Sequence, residues 1–213
     1  MKYEGIIFDL DGVICCTDHY HYLAWKALAD SLGVSFDEKK NDRLRGVSRM
    51  ASLEIVLEGY RGSALSEEDK EKLAAQKNEL YRTYLRSMTP ADLPETVRTT
   101  LTALRTRGLK LAIGSSSKNT PLILERIGLS GFFDAVSDGN NITRSKPDPQ
   151  VFVMAAEMLG LSAEKCLVVE DAEAGIRAAS AGGFHSAGIG PAARCGLATY
   201  SLESFRDLMD ICF

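Results

Sequence analysis

The stretch that most constrains the fold is Ile6-Ile7-Phe8-Asp9-Leu10-Asp11-Gly12, an apolar run that stops at two carboxylates and a glycine. A run this short, followed at once by charge and a turn former, reads as a buried parallel strand ending in a loop. Asp9 and Asp11 then sit at the carboxyl end of the strand, the edge of an open α/β sheet where ligands bind. Two acids at i and i+2 can divide labour there, one as nucleophile and metal ligand, the other as proton donor or acceptor. Taken alone, D-x-D-G is equally well a surface turn.

After Gly12 the pattern turns helical and stays so for a long way. Asp18 is placed to cap a helix whose apolar stripe, Tyr22, Leu23, Trp25, Ala27, Leu28 and Leu32, ends at Gly33. A second helical segment runs near residues 37–44, and Gly46-Val47-Ser48 breaks it, with Ser48 as cap of a helix carrying Leu53, Val56 and Leu57. Ser66 opens a strongly charged helix to about Arg86, which Thr89-Pro90 stops. With no strand signal from Cys16 to Pro90, this reads as a helical insertion, residues 16–90, in an α/β domain made of 1–15 and 91–213.

The strand–helix alternation resumes after Pro94. A helix from Glu95 to Arg107 precedes a strand at 109–113, which runs into Gly114-Ser115-Ser116-Ser117-Lys118-Asn119. A helix ending at Gly128, a short strand at 135–137, a polar loop with Lys146-Pro147 and a helix at 149–159 follow. Cys166-Leu167-Val168-Val169 is another buried strand, and it too stops at paired acids, Glu170-Asp171. A helix at 172–181, a strand at 186–189, a weak strand near 197–199 and a terminal helix from Leu202 close the chain. The alternation predicts an α/β fold, a doubly wound parallel sheet with right-handed crossovers, carrying the all-helical insert as a cap.

Four loops thereby share one edge of the sheet: Asp9 with Asp11, Ser115 to Asn119, Lys146, and Glu170 with Asp171. Asp9, Glu170 and Asp171 form a hard oxygen site suited to magnesium. Lys146 supplies a point positive charge, and Ser115 with neighbouring backbone N–H groups supplies donors, so a phosphoryl group fits between metal and lysine. Each part has an ordinary reading, as a serine turn, a solvated lysine or a helix N-terminus. Their coincidence at successive strand ends is what argues for a site.

Bulk properties narrow the partner. The 213 residues carry a formal charge of -4, so there is no basic footprint for nucleic acid or anionic lipid, and a small molecule is the expected partner of a monomeric protein. No apolar run approaches ~18 residues and no signal-like leader is seen, so membrane spanning and secretion are not indicated and a cytoplasmic location is expected. Five cysteines, Cys15, Cys16, Cys166, Cys195 and Cys212, show no C-x-x-C spacing. They are expected to be reduced packing residues.

Together F-D-L-D-G at Phe8 to Gly12, S-S-S-K-N at Ser115 to Asn119, S-K-P-D-P at Ser145 to Pro149 and E-D at Glu170-Asp171 resemble the four motifs of the haloacid dehalogenase superfamily of phosphotransferases. The helical insert is similar to that of its β-phosphoglucomutase branch, through Tyr20-His21, the run Ala24 to Leu28, Gly46-Val47-Ser48-Arg49 with Ser52-Leu53, Lys77-Asn78 and Pro90-Ala91-Asp92. The resemblance implies that Asp9 is the nucleophile that becomes an aspartyl phosphate and Asp11 the general acid/base. It implies magnesium held by the Asp9 carboxylate, the Asp11 carbonyl and Asp171, with Glu170 nearby, and Lys146 and Ser115 on the transferring phosphate. Arg49, Ser117 and Asn119 would hold the sugar's other phosphate. Thr17, His21 and Lys77 would couple cap closure to Asp11, and Trp25, Arg45, Gly46, Val47, Ser52, Ser116 and Lys118 would line the substrate. Two positions depart from the pattern: Arg45 stands where the branch carries lysine, which is not an equivalent contact, and Cys16 stands at a hinge position that is often acidic in relatives.

The implied activity is conversion of β-glucose 1-phosphate to glucose 6-phosphate through a bisphosphate. The competing reading is a sugar-phosphate or other small-molecule phosphatase that hands the same aspartyl phosphate to water. A signalling receiver domain, also doubly wound with a phospho-accepting aspartate, fits the helical insert and the Asp9/Asp11 pair poorly.

Overall fold

A computed structural model describes residues 2–44 and 47–213; the expected substrate residues Arg45 and Gly46 lie outside the described residues. The chain divides into two compact units, Met1–Cys16 with Met88–Phe213, and Thr17–Ser87.

In chain order the first unit opens with strand β1 (Gly5–Phe8), and the second unit holds helices α1 (Asp18–Ser31), α2 (Glu38–Asp42), α3 (Arg49–Leu57) and α4 (Glu67–Leu85). The first unit resumes with α5 (Glu95–Thr106), β2 (Lys110–Gly114), α6 (Thr120–Arg126), β3 (Ala135–Ser137) and α7 (Gln150–Leu159). It ends with β4 (Cys166–Glu170), α8 (Glu173–Ala181), β5 (His185–Gly188), β6 (Tyr200–Ser201) and α9 (Leu208–Cys212). All six strands are parallel, in the order β3-β2-β1-β4-β5-β6. That order reverses beside β1, which places β1 and its two neighbours at the switch point where doubly wound sheets bind ligands.

The sheet is buried on both faces, which is why its central strands read as unbroken apolar runs. Ile7, Ala112 and Val168 point to one side and pack with Val151, Phe152 and Ala155 of α7 and Ala178 and Ala179 of α8. On the other side Phe8 stacks on Phe205, ring centroids 5.5 Å apart, and α5 packs with α9 and the turn that precedes it. In the helical unit α1 packs along α4 and on α3, burying Trp25, Leu28, Ala29, Leu53, Val56 and Ala74 in a core of its own.

Local chemistry sets the helix starts. Ser48 accepts from the Ala51 N–H, and Ser66 with Asp69 forms a reciprocal capping box. Asp18 is not the cap of α1. That position belongs to Thr17, and Asp18 is the first helical residue, where a carboxylate meets the positive end of the helix dipole.

Two further differences lie near the C-terminus. The last strand is Tyr200–Ser201 rather than 197–199, because Thr199 is bonded through side chains: its Oγ1 accepts from the Ser186 N–H at 3.1 Å. The terminal helix starts later than Leu202. Ser204 and Asp207 form a capping box around a single 3₁₀ turn, Phe205–Asp207, before α9 begins. All five cysteines are free thiols, but only Cys15, Cys166 and Cys212 are buried; Cys16 is exposed and Cys195 partly so, so these two are not core packing.

Candidate active site

The site is assembled at the carboxyl ends of β1, β2 and β4 and on the loop after β3. Asp9 follows β1 directly, its N–H bonded to the Val169 carbonyl at 2.9 Å, so the ladder to β4 holds it into the site. Beyond it the chain turns sharply. The Gly12 N–H reaches the Cys15 carbonyl at 2.8 Å, and Gly12 has φ +88°, with a Cβ there falling 2.2 Å from Asp171 Oδ2. Only glycine both adopts this backbone and leaves the Asp171 carboxylate its place.

β4 ends in the second pair of acids. Glu170 Oε2 accepts from the Ala172 N–H at 2.9 Å, while the carbonyls of Glu170 and Asp171 accept from the N–H groups of Ile189 and Ala192 at 2.8 and 3.0 Å. The loop after β5 therefore clamps the backbone of both acids. Ligand oxygens of Asp9, Glu170 and Asp171 lie within 4.8 Å of one another, and all three residues are buried. Lys146, also buried, donates to Asp9 and, at 2.6 Å, to Glu170 Oε1. Its Nζ lies 4.7 Å from the centre of the Phe152 ring.

Charge balance here is unequal. Burial, then the neighbouring Glu170, Asp171 and Asp11 carboxylates, push the Asp9 carboxyl well above the usual range, and only Lys146 works the other way. For Lys146 burial alone would favour the neutral amine, but the attraction of Asp9 and Glu170 and the hydrogen bonds to both outweigh it, so the ammonium is held. One ammonium among this many carboxylates leaves a deficit of positive charge in a buried, all-oxygen site. Such a donor set suits a hard divalent cation such as magnesium.

The loop after β2 is built from nested serine turns. The Ser115 N–H bonds the Ser137 carbonyl at 3.0 Å; Ser115 Oγ accepts from the Ser117 N–H and Ser117 Oγ from the Asn119 N–H, both at 3.2 Å. Ser115 and Asn119 are buried, Ser116 and Ser117 partly so, and Lys118 is exposed. From outside, the Gly139 N–H reaches the Ser117 carbonyl at 3.2 Å and Asn140 Nδ2 the Lys118 carbonyl at 3.1 Å. The fold thus gathers Asp9, Glu170, Asp171 and Lys146 into direct contact or convergence and sets the serine loop on the adjoining strand.

In the helical unit, Thr17 and Ser52 are buried and Val47 and Arg49 half-buried. His21 and Trp25 lie on α1, Arg49 and Ser52 on α3, and Lys77 on α4. Burial, and to a smaller extent the charges of Lys77 and Arg49, hold the His21 imidazole well below its ordinary range. Burial likewise lowers Arg49, with Glu79 opposing.

Several contributors escape a sequence reading. Gly12 belongs to a motif, but nothing in the sequence shows that it makes room for Asp171, nor that a Cβ on Gly175 would fall 1.9 Å from Glu170 Oε1. The Ile189 and Ala192 N–H clamps and the Phe152 ring carry no signal at all, since backbone donors look alike and Phe152 reads as helix core. Gly175→Ala is expected to leave α8 folded, alanine being the better helix former, yet to push Glu170 aside. Magnesium affinity by calorimetry should fall about ten-fold or more, the usual cost of disturbing a ligand's supports; an unchanged affinity would show that Glu170 is not needed where it lies.

The family described as haloacid dehalogenase-like hydrolase matches residues 3–183. A β-phosphoglucomutase of Bacillus subtilis is 39% identical over 188 residues, 88% of this chain and 83% of the relative. A phosphorylated carbohydrates phosphatase of Thermotoga maritima is 29% identical over 183 residues, 85% of this chain and 82% of the relative. A crystal structure of β-phosphoglucomutase from Clostridium difficile superposes with a TM-score of 0.90 at 36% identity, covering 97% of this chain and 93% of that one. A family match over most of the chain, four motifs on one sheet edge and this degree of identity lead to one conclusion: the chain is a member of the haloacid dehalogenase-like hydrolase family, on its β-phosphoglucomutase-like side.

Proposed function

We propose that this protein is a magnesium-dependent phosphotransferase that works through an aspartyl phosphate on Asp9 and interconverts β-glucose 1-phosphate and glucose 6-phosphate. The observation that carries the reading is the placement of Asp9, buried at the switch point of the sheet in contact with Lys146 and facing Glu170 and Asp171. The similarity to relatives named β-phosphoglucomutase supports the choice of sugar.

In this reading Asp9, the Asp11 carbonyl and Asp171 hold magnesium, with Glu170 beside them. When bound, the ion neutralises charge on the phosphoryl oxygens and on the carboxylates that surround them. Lys146 and Ser115 hold the phosphoryl group in line. A carboxylate oxygen of phosphorylated Asp9 leaves as the 6-hydroxyl oxygen of the sugar forms its bond to phosphorus, and Asp11 takes the hydroxyl proton. The bisphosphate then presents its 1-phosphate, Asp9 attacks that phosphorus, and Asp11 returns the proton to the departing sugar oxygen. Asp9 is phosphorylated again and glucose 6-phosphate is released. Positioning and charge neutralisation, which these residues supply, are what phosphoryl transfer chiefly requires.

Phosphate release to water is the second reading, supported by the relative named a phosphorylated carbohydrates phosphatase. What separates the two is the grip on the phosphate not being transferred, which we assign to Arg49, with Ser117 and Asn119. Turnover of β-glucose 1-phosphate, with glucose 6-phosphate and free phosphate followed together, should yield mainly the sugar phosphate. In Arg49→Ala that turnover should fall about ten-fold or more, the equivalent of 1.4 kcal/mol, because a charge-assisted fork on phosphate is lost. Reaction with acetyl phosphate, which has no second phosphate, should be spared. Equal losses on both would make Arg49 structural, and free phosphate as the main product would favour the phosphatase.

A further inference from the structure

Lys77 lies in the helical unit in surroundings that the proposed chemistry does not explain. Its Nζ is 2.9 Å from His21 Nδ1, 4.5 Å from the centre of the Trp25 ring and 4.7 Å from that of Tyr81. The Tyr81 ring also stacks on His21, centroids 4.0 Å apart at 27°. Lys77 and Trp25 are almost wholly buried and Tyr81 completely so.

These contacts constrain where the protons are. An ammonium has three donors and no acceptor, so a charged Lys77 at hydrogen-bond distance from Nδ1 requires that Nδ1 be the acceptor and that the imidazole proton sit on Nε2. The opposite assignment, a neutral amine accepting from an imidazolium, would leave the Trp25 face, 4.5 Å from Nζ, without the cation that its quadrupole favours within about 6 Å. We propose that Trp25 and Tyr81 form a two-ring box that keeps Lys77 an ammonium donating to His21 Nδ1, so that His21 is a neutral Nε2–H donor, and that Tyr81 is thereby a positioning residue for phosphosugar turnover.

Each ring has its own part. Trp25 belongs to the apolar core of the unit and supplies one face. Tyr81 does two things at once, a face for the ammonium and a plate for the imidazole, and so sets the lysine–histidine distance. The groups that act on His21 are Lys77 and Tyr81 from α4 and Arg49 from α3, and the two cations oppose its protonation. The helical unit then presents His21 Nε2–H and the Arg49 guanidinium as donors, the polarity that phosphate and hydroxyl oxygens need. The link to turnover rests on the function proposed above; the state of the lysine–histidine pair does not.

The test uses nitrogen NMR of the imidazoles in the intact protein without substrate, a tractable spectrum because the chain has only three histidines. His21 is assigned from its loss in His21→Gln. Wild type should show His21 neutral, with Nδ1 unprotonated and Nε2 protonated, across about pH 5 to 8, the range in which histidine charge usually changes. Tyr81→Phe keeps the ring and should match it. Tyr81→Leu should bring His21 protonation into that range and lower kcat on β-glucose 1-phosphate about ten-fold with KM within about two-fold, while Tyr81→Phe stays near wild type.

A wild-type His21 carrying its proton on Nδ1, or titrating like an ordinary histidine, overturns the box. A Tyr81→Leu spectrum identical to wild type does the same. A shifted spectrum with unchanged kcat overturns the positioning role alone. If wild type does not turn over the phosphosugar at all, the functional reading fails, and the NMR arm still decides the box.

Discussion

Asp9→Asn is expected to reduce phosphosugar turnover by several orders of magnitude while leaving the protein folded. The side chain keeps its size, and the N–H bond to Val169 does not depend on it, but an amide cannot form the acyl phosphate on which the proposed reaction turns. Loss of a covalent nucleophile in a well-studied hydrolase costs about 10⁶ in kcat, which sets the scale. Stability should move the other way. Asp9 is buried beside Glu170 and Asp171, and burial with their repulsion raises its pKa, so in metal-free buffer the carboxylate is a cost to the fold that Lys146 only partly offsets. Asparagine removes that charge, and Lys146 keeps its 2.6 Å contact to Glu170. A thermal melt without metal should therefore give a Tm equal to or above wild type, together with no incorporation of labelled phosphoryl group from acetyl phosphate. Undiminished turnover in this variant would end the aspartyl-phosphate reading, and a collapsed melt would move the cause of any loss from chemistry to folding.

The opposing effects in that one variant show why parts of the molecule can be read from sequence and others cannot. β1 and β4 are buried on both faces, so their apolar runs have no polar interruption before the carboxyl end of the strand. The interruption is itself the site, and Asp9 and Glu170-Asp171 announce themselves by breaking the run. Lys146 lacks such a signal locally. It sits in a polar loop that looks solvated, and becomes legible only because three other loops answer it across the sheet. The weak strand expected near 197–199 lies instead at Tyr200–Ser201, because Thr199 and Ser186 bond each other through their hydroxyls and Thr199 stays out of the ladder, which residue type alone does not reveal.

What stays hidden is of two kinds. Backbone donors such as the Ile189 and Ala192 N–H groups hold the acid pair, and any residue type but proline would supply them. The second kind is space: Gly12 and Gly175 matter for the atoms they omit beside Asp171 and Glu170. Tyr81 combines both difficulties. In the pattern of α4 it is one more apolar residue on the inner face, and only its stacking on His21 and its distance from Lys77 separate it from ordinary core.

Asp11→Asn should slow transfer to and from the sugar by about 10² to 10⁴, the usual range for a lost general acid/base, and should do so selectively. Among the described residues, the carboxylates whose oxygens converge are those of Asp9, Glu170 and Asp171. Asp11 lies outside that group, two residues beyond Asp9 on the turn closed by the Gly12–Cys15 hydrogen bond. It is only partly buried, whereas Asp9 is buried. Its proposed contribution to the metal is a backbone carbonyl, which asparagine retains. The substitution therefore separates proton transfer from metal binding. A sugar alkoxide is a poor leaving group and needs a proton as its bond to phosphorus breaks, but acetate leaves without one. Asp11→Asn should accordingly be phosphorylated on Asp9 by acetyl phosphate at near the wild-type rate, bind magnesium with unchanged affinity, and then fail to pass the phosphoryl group to β-glucose 1-phosphate. Equal losses with acetyl phosphate and sugar would assign Asp11 to the metal or the fold. Normal transfer to the sugar would overturn the assignment of the proton to Asp11.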